Sequence, residues 1–240
     1  MKEIIDTDNI ETYPLKLKNI LQPYAENLYA RCGKNIALDE YESIDISELN
    51  HLSESMSDFV FKAYHNTRVC SVESIKKEGI VLLKRESYLA RMQKLLKECA
   101  VSKNEIMIFS KAIREYLNIG FENLREGCIS FYMPKAQSQR YDAYAENFGG
   151  EIAKHALKDQ YPSIYNYLKT NSEPITIEFA APFSSFVKYR NDIFMAQLIK
   201  KYLISYIINK DFEFGFDSAV IKPILPEQII SIKHLDVLSF

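Results

Sequence analysis

The feature that most narrows the possible folds of this chain is the placement of its strand-like runs. Segments dense in aromatic and β-branched residues occur at 59–65 (FVFKAYH), 127–134 (GCISFYMP), 174–183 (PITIEFAAPF), 214–224 (FGFDSAVIKPI) and 227–240 (EQIISIKHLDVLSF). Such runs suit strands that bury at least one face. Between them lie helical stretches of unequal length: two over 86–117, divided by a Ser102-to-Glu105 capping box; one from Arg140 broken at Gly149-Gly150; then 151–158, 163–169 and a long one over 191–209. The spacing follows no regular βαβ period. It predicts an α+β fold with a split or mixed, mainly antiparallel sheet flanked by helices, rather than a doubly wound sheet.

With 240 residues the chain can bury a full core as one domain. Residues 1–55 read as an N-terminal helical segment ahead of an α+β domain over 56–240. Pro23 inside TYPLKLKNILQPYAENLYAR predicts one kinked helix or two short ones, ending at Gly33. An acidic, serine-rich connection follows, with a short helix around 47–55.

Thirty basic and 32 acidic residues give a net charge of −2, which supplies no field for a polyanion, so nucleic acid is not indicated as a partner. Cys32, Cys70, Cys99 and Cys128 form no C-x-x-C pair and have no histidine at ligand spacing, so no metal is expected. With no signal peptide legible in MKEIIDTDNIETYPLK, the thiols read as reduced and the chain as cytoplasmic. The most apolar segment, 193–208, is interrupted by Lys200 and Lys201 and falls short of the roughly 20 residues a bilayer crossing needs. It reads as a buried helix, and no membrane partner is expected.

Chemistry can reside in three places. His65 closes the first aromatic run and is followed by Asn66, Thr67 and Arg68, a donor-rich series just before the amphipathic VESIKKEGI, which Gly79 caps. An arginine there can clamp phosphate or carboxylate through two bonds, although Thr67 and Ser71 serve equally well as caps. In GCISFYM, Ser130 and Tyr132 alternate with Phe131; if Phe131 points to the core, that pair faces a cleft or solvent. Finally, only seven glycines occur, yet Gly149 and Gly150 are adjacent and precede Glu151. They make either a simple helix break or a carboxylate presented at a helix N-terminus. Tyr141, Tyr144 and Phe148 describe a core stripe, with Tyr144 as a stacking platform the alternative. Motifs for serine hydrolases, P-loops, dinucleotide folds and zinc proteases are missing. A Cys70 nucleophile would need a base, and the sequence does not guarantee that geometry to His65, five residues earlier across a turn.

The order of these pieces resembles the ADP-ribosyltransferase-like superfamily. There, a strand bearing His-x-Thr precedes a helix of the form S-I-x-x-x-G-[IL], as in His65-Asn66-Thr67 and Ser74 to Ile80. A second strand of the type G-[IV]-x-F is similar to Gly127 to Tyr132, and Tyr144 and Glu151 match a later tyrosine and catalytic glutamate. The resemblance spans about residues 59–158 and implies that NAD⁺ binds as substrate. His65 and Thr67 would meet a ribose, Arg68 the pyrophosphate, and Tyr132 or Tyr144 the nicotinamide, with Ser130, Gly149 and Gly150 lining the site. Breaking the nicotinamide–ribose bond develops an oxocarbenium-like cation, which a carboxylate stabilises. Family members usually carry that glutamate on a late strand, so Glu227 and Asp217 compete with Glu151. The acceptor would be a macromolecule, a small molecule or water, as in a bacterial toxin or defence effector held by a regulator. The alternative is a non-catalytic ligand- or partner-binding module of the same fold.

Overall fold

The computed structural model describes residues 3–33, 46–82, 84–98, 100–120, 126–140 and 150–235. Its strands are β1 (Ile4–Ile5), β2 (Val60–Val69), β3 (Ile129–Met133), β4 (Glu173–Pro182), β5 (Phe216–Val220) and β6 (Ile229–His234). They form one six-stranded open sheet in the order β5-β3-β2-β4-β6, with β1 pairing beside β2. The sheet is mixed: β1 runs parallel to β2, and β4 runs antiparallel to β6 with Ile175 opposite His234. The described helices are α1 (Leu15–Cys32), α2 (Ile46–Glu54), α3 (Glu73–Glu78), α4 (Arg85–Glu98), α5 (Lys103–Gly120), α6 (Lys135–Arg140), α7 (Gly150–Leu157), α8 (Pro162–Thr170) and α9 (Asn191–Tyr202). The α+β class expected from the sequence is therefore what the chain adopts.

The chain divides into two compact units that do not follow a boundary near residue 55. One comprises 1–63, 131–137 and 180–220; the other comprises 64–130, 138–179 and 221–240. β2, β3 and β4 each have one end in each unit. This arises because strands that are distant in sequence pair side by side, so packing groups residues by strand end rather than by position in the chain.

The core of the first unit is aromatic. Phe61, Phe183, Phe186 and Phe194 lie with ring centroids 5.0–6.4 Å apart in tilted, edge-on and stacked arrangements, a range in which ring quadrupoles attract. Phe131 and Phe216 extend this cluster. α1 is a single helix that runs through Pro23, burying Leu17, Leu21, Ala25 and Leu28 at helical spacing and ending where the Gly33 N–H bonds to the Tyr29 carbonyl. α9 is buried as expected, and its lysines are buried with it: Lys201 donates from Nζ to the Phe212 carbonyl at 2.9 Å, which satisfies the ammonium in an apolar setting. Among the described residues no helix is long and apolar enough to cross a membrane.

In the second unit α4, α5, α7 and α8 share a hydrophobic core that includes Met92, Leu96, Phe109, Ile113, Leu157 and Leu168. The capping box at the start of α5 is formed: Ser102 Oγ accepts from the Glu105 N–H, and the Glu105 carboxylate accepts from the Ser102 N–H at 3.1 Å. A smaller cluster joins Val69, Ile75, Ile175 and Ile177.

Three expectations need correction. The stretch ahead of the helix expected from Arg140 is itself helical: KAQSQR forms α6. The HNTR run does not close a strand; it lies inside β2, whose extended backbone continues through Val69 because its polar side chains find partners beside the sheet. Cys70 is disulfide-bonded while Cys32 and Cys128 are not, so the expectation of uniformly reduced thiols is corrected.

Candidate functional site

β2 alternates its side chains through the candidate region. Val69 joins Ile175 and Ile177 of β4 on one side of the sheet, whereas Asn66 meets Thr176, which points the other way. His65 and Thr67, an even number of residues from Val69, therefore share Val69's side, and Asn66 and Arg68 share the opposite one.

His65 is half-buried. Its Nδ1 lies 2.8 Å from the Ser130 carbonyl oxygen on β3. A carbonyl can only accept, so Nδ1 carries the hydrogen and Nε2 holds the lone pair. Burial lowers the imidazole's pKa, against a smaller opposing effect of that hydrogen bond. The ring is thus a fixed, neutral acceptor at pH 7. Thr67 adds a half-buried hydroxyl on the same side.

Asn66 and Arg68 are used differently. Asn66 is 6% exposed and its amide is nearly saturated. Nδ2 donates to the Ser138 carbonyl at 2.7 Å, and Oδ1 accepts from Ser138 Oγ and Thr176 Oγ1, both at 2.8 Å. This ties β2 to α6 and β4. Arg68 donates from Nε to Ser172 Oγ at 3.0 Å and from Nη2 to the carbonyls of Lys169 and Ser172 at 2.6 and 2.7 Å. A guanidinium set against the carbonyl end of α8 satisfies groups the helix leaves open and opposes its dipole. Those donors are committed, so the expected pyrophosphate contact of Arg68 is withdrawn.

Ser130 is half-buried and contributes its main-chain carbonyl to His65. Tyr132, in the first unit, is 8% exposed, so it faces neither solvent nor an open cleft even though Phe131 is in the core. Tyr144 and Gly149, with Tyr141 and Phe148, lie outside the described residues, as does the Glu151 side chain. What is described is the backbone that carries it: Glu151 lies in α7, described from Gly150 to Leu157. That helix is held in place. Ile152 and Ala153 are buried in the helical core, and Tyr88 makes a hydrogen bond with the Ala153 backbone from a site whose burial pushes its phenol well up.

The competing acids fare less well. Glu227 sits exposed on a 3-10 turn, Pro226–Gln228, rather than opening a strand. Asp217 is paired with Arg190 at 3.2 Å. Glu178, on β4 next to a register shift, accepts from Ser231 Oγ at 2.9 Å and shares Thr176's side of the strand, away from His65. Sequence reasoning missed the partners that organise this region: Ser138, Ser172 and Thr176. Small hydroxyl residues carry no positional signal until the strands that bring them to β2 are paired.

Comparisons with protein-family models, with curated proteins and with solved structures return no match.

Proposed function

We propose that this chain binds NAD⁺ and cleaves its nicotinamide–ribose bond, as an ADP-ribosyltransferase or a NAD⁺ glycohydrolase of the ADP-ribosyltransferase-like fold. The observation that carries the reading is the fixed, neutral His65, whose Nε2 is left to accept a ribose hydroxyl while Nδ1 is anchored on Ser130. Thr67 offers a second polar contact on the same side. Glu151, on α7, is the acid for the developing positive charge on the ribose. In that step the C1′–N bond breaks and nicotinamide leaves with the electron pair. The cationic sugar is then captured by an acceptor's nucleophile or by water, which gives up a proton.

A specific observation favours the binding-module alternative. Two of the four residues in the HNTR run, Asn66 and Arg68, are occupied in holding the sheet and α8. One experiment separates the readings: incubate the purified protein with NAD⁺, with and without cell lysate as acceptor, and measure released nicotinamide beside His65→Ala and Glu151→Gln. Release by wild type, lost in both variants at unchanged melting temperature, supports the enzyme. No release under either condition, together with calorimetric binding of NAD⁺ or none, leaves the binding module.

A further inference from the structure

β6 is the last strand of the sheet. On its inner side it pairs antiparallel with β4, from Ile175 opposite His234 to Phe179 opposite Ile229. Among the described residues no strand, bridge or loop hydrogen bond engages Ile229–His234 from the other side. β5, at the opposite end of the sheet, has a further partner besides β3: Phe186 stands opposite Val220, and the Val187 N–H donates to the Ala219 carbonyl at 2.9 Å. An open edge presents N–H and C=O groups that another strand can satisfy, and chains commonly blunt it with proline or with charge inside the strand. β6 has neither before Lys233. The register shifts once along β4, between Glu178 and Phe179, whose partners are Ser231 and Ile229. Ile230 is thus left without a counterpart on β4, and it is 44% exposed, as a bulge re-aims a side chain. Ile221 and Leu225, in the segment leading into β6, are exposed as well. The two ends of the strand carry opposite charge, with exposed Glu227 on the turn before it and exposed Lys233 near its end.

We propose that this edge joins two copies of the chain, β6 of one running antiparallel to β6 of the other about a two-fold axis at Ile230. Charge decides both the partner and the direction. Glu227 and Lys233 each lie three residues from Ile230, so an antiparallel copy sets Glu227 of each chain beside Lys233 of the other, whereas a parallel copy sets like charges together. Lys233 is held only loosely within its own chain, because Glu178 is 3.9 Å away and already accepts from Ser231 Oγ. The two-fold axis makes the surface self-complementary and repeats each contact. Ile230 packs on its own counterpart, and the open backbone groups of each β6 pair with those of the other. Pairing at this edge needs nothing from His65, so it stands or falls separately from the NAD⁺ reading.

The test is sedimentation velocity of the full chain over a wide range of concentration, with hydrogen exchange of residues 229–234 measured at both ends of that range. A monomer–dimer equilibrium is expected, with exchange over 229–234 slowing as the dimer fills. Ile230→Lys sets two ammonium groups against each other on the axis and should weaken association roughly tenfold or more. Glu227→Lys and Lys233→Glu should each weaken it several-fold, and combining them should recover most of the loss, because the charges are then only exchanged. All three positions are exposed, so each variant should melt close to wild type. A chain that stays monomeric throughout overturns the proposal, as does a dimer indifferent to Ile230→Lys or one that the double charge exchange weakens further. Exchange over 229–234 that is slow in the monomer and unaffected by concentration would show the edge already covered within the chain, and overturns it too.

Discussion

Replacing Gly79 by alanine tests how the helix after β2 is fastened. Gly79 ends α3 with φ +74° and ψ −160°, and its N–H bonds to the Ile75 carbonyl at 2.8 Å. This backbone conformation is open essentially to glycine alone, so any side chain there is strained by about 1–3 kcal/mol. A second contribution comes from space. A Cβ on residue 79 would stand 2.0 Å from the Ile224 carbonyl oxygen, and ordinary contact begins at 3.4 Å, so 3.4 − 2.0 = 1.4 Å must be found. The obstacle is backbone, held by two hydrogen bonds of 2.8 Å between Ile80 and Ile224. Moving that carbonyl by more than an ångström forfeits both, at about 1 kcal/mol each. The sum is about 4 kcal/mol, equivalent to a fall in melting temperature of roughly 8–16 °C for a chain of this size. Gly127 supplies the control: it has nearly the same φ, +73°, but nothing within 4 Å of an added Cβ. Gly127→Ala should register the conformational strain alone. Urea denaturation followed by far-ultraviolet circular dichroism measures both variants. If Gly79→Ala is no more destabilising than Gly127→Ala, within about 0.5 kcal/mol, the close approach to Ile224 does not govern this junction.

Three further outcomes follow from the same geometry. Asn66→Ala should lose about 1–3 kcal/mol, because it strands the Ser138 carbonyl and the Thr176 hydroxyl; a denaturation midpoint equal to wild type would contradict this. Arg68→Met should destabilise by about 2–3 kcal/mol by removing a charged donor from two carbonyls at the end of α8. A change in NAD⁺ affinity with an unaltered melting temperature would instead return Arg68 to ligand binding. For His65 the folded pKa lies below its ordinary 6.5. The unfolded chain therefore binds the extra proton first, and the contribution to stability is full above about pH 6.5 and lost as pH falls through the depressed folded value. A ring-carbon NMR titration should place the His65 midpoint below 6.5; titration at or above 6.5 would refute the neutral acceptor.

Much of the secondary structure is legible in local chemistry. The Ser102–Glu105 box, the Gly79 and Gly33 caps and the burial of α9 each depend on residues within a few positions of one another. The candidate site is legible in its residue types but not in its roles. His65, Thr67 and Arg68 look alike as a donor-rich run, yet His65 is oriented by Ser130, 65 residues away, and Arg68 is claimed by Lys169, 101 residues away.

What the order of residues determined by itself is the α+β class and the approximate position of most described strands and helices, because periodicity and capping are short-range properties of the chain. What only the tertiary structure decided is the fate of each polar side chain on β2: His65 neutral and aimed by a neighbouring strand, Asn66 and Arg68 absorbed into the scaffold, Cys70 oxidised. A buried donor or acceptor takes whichever partner the paired strands and packed helices bring within about 3 Å, and that choice does not exist until the sheet is assembled.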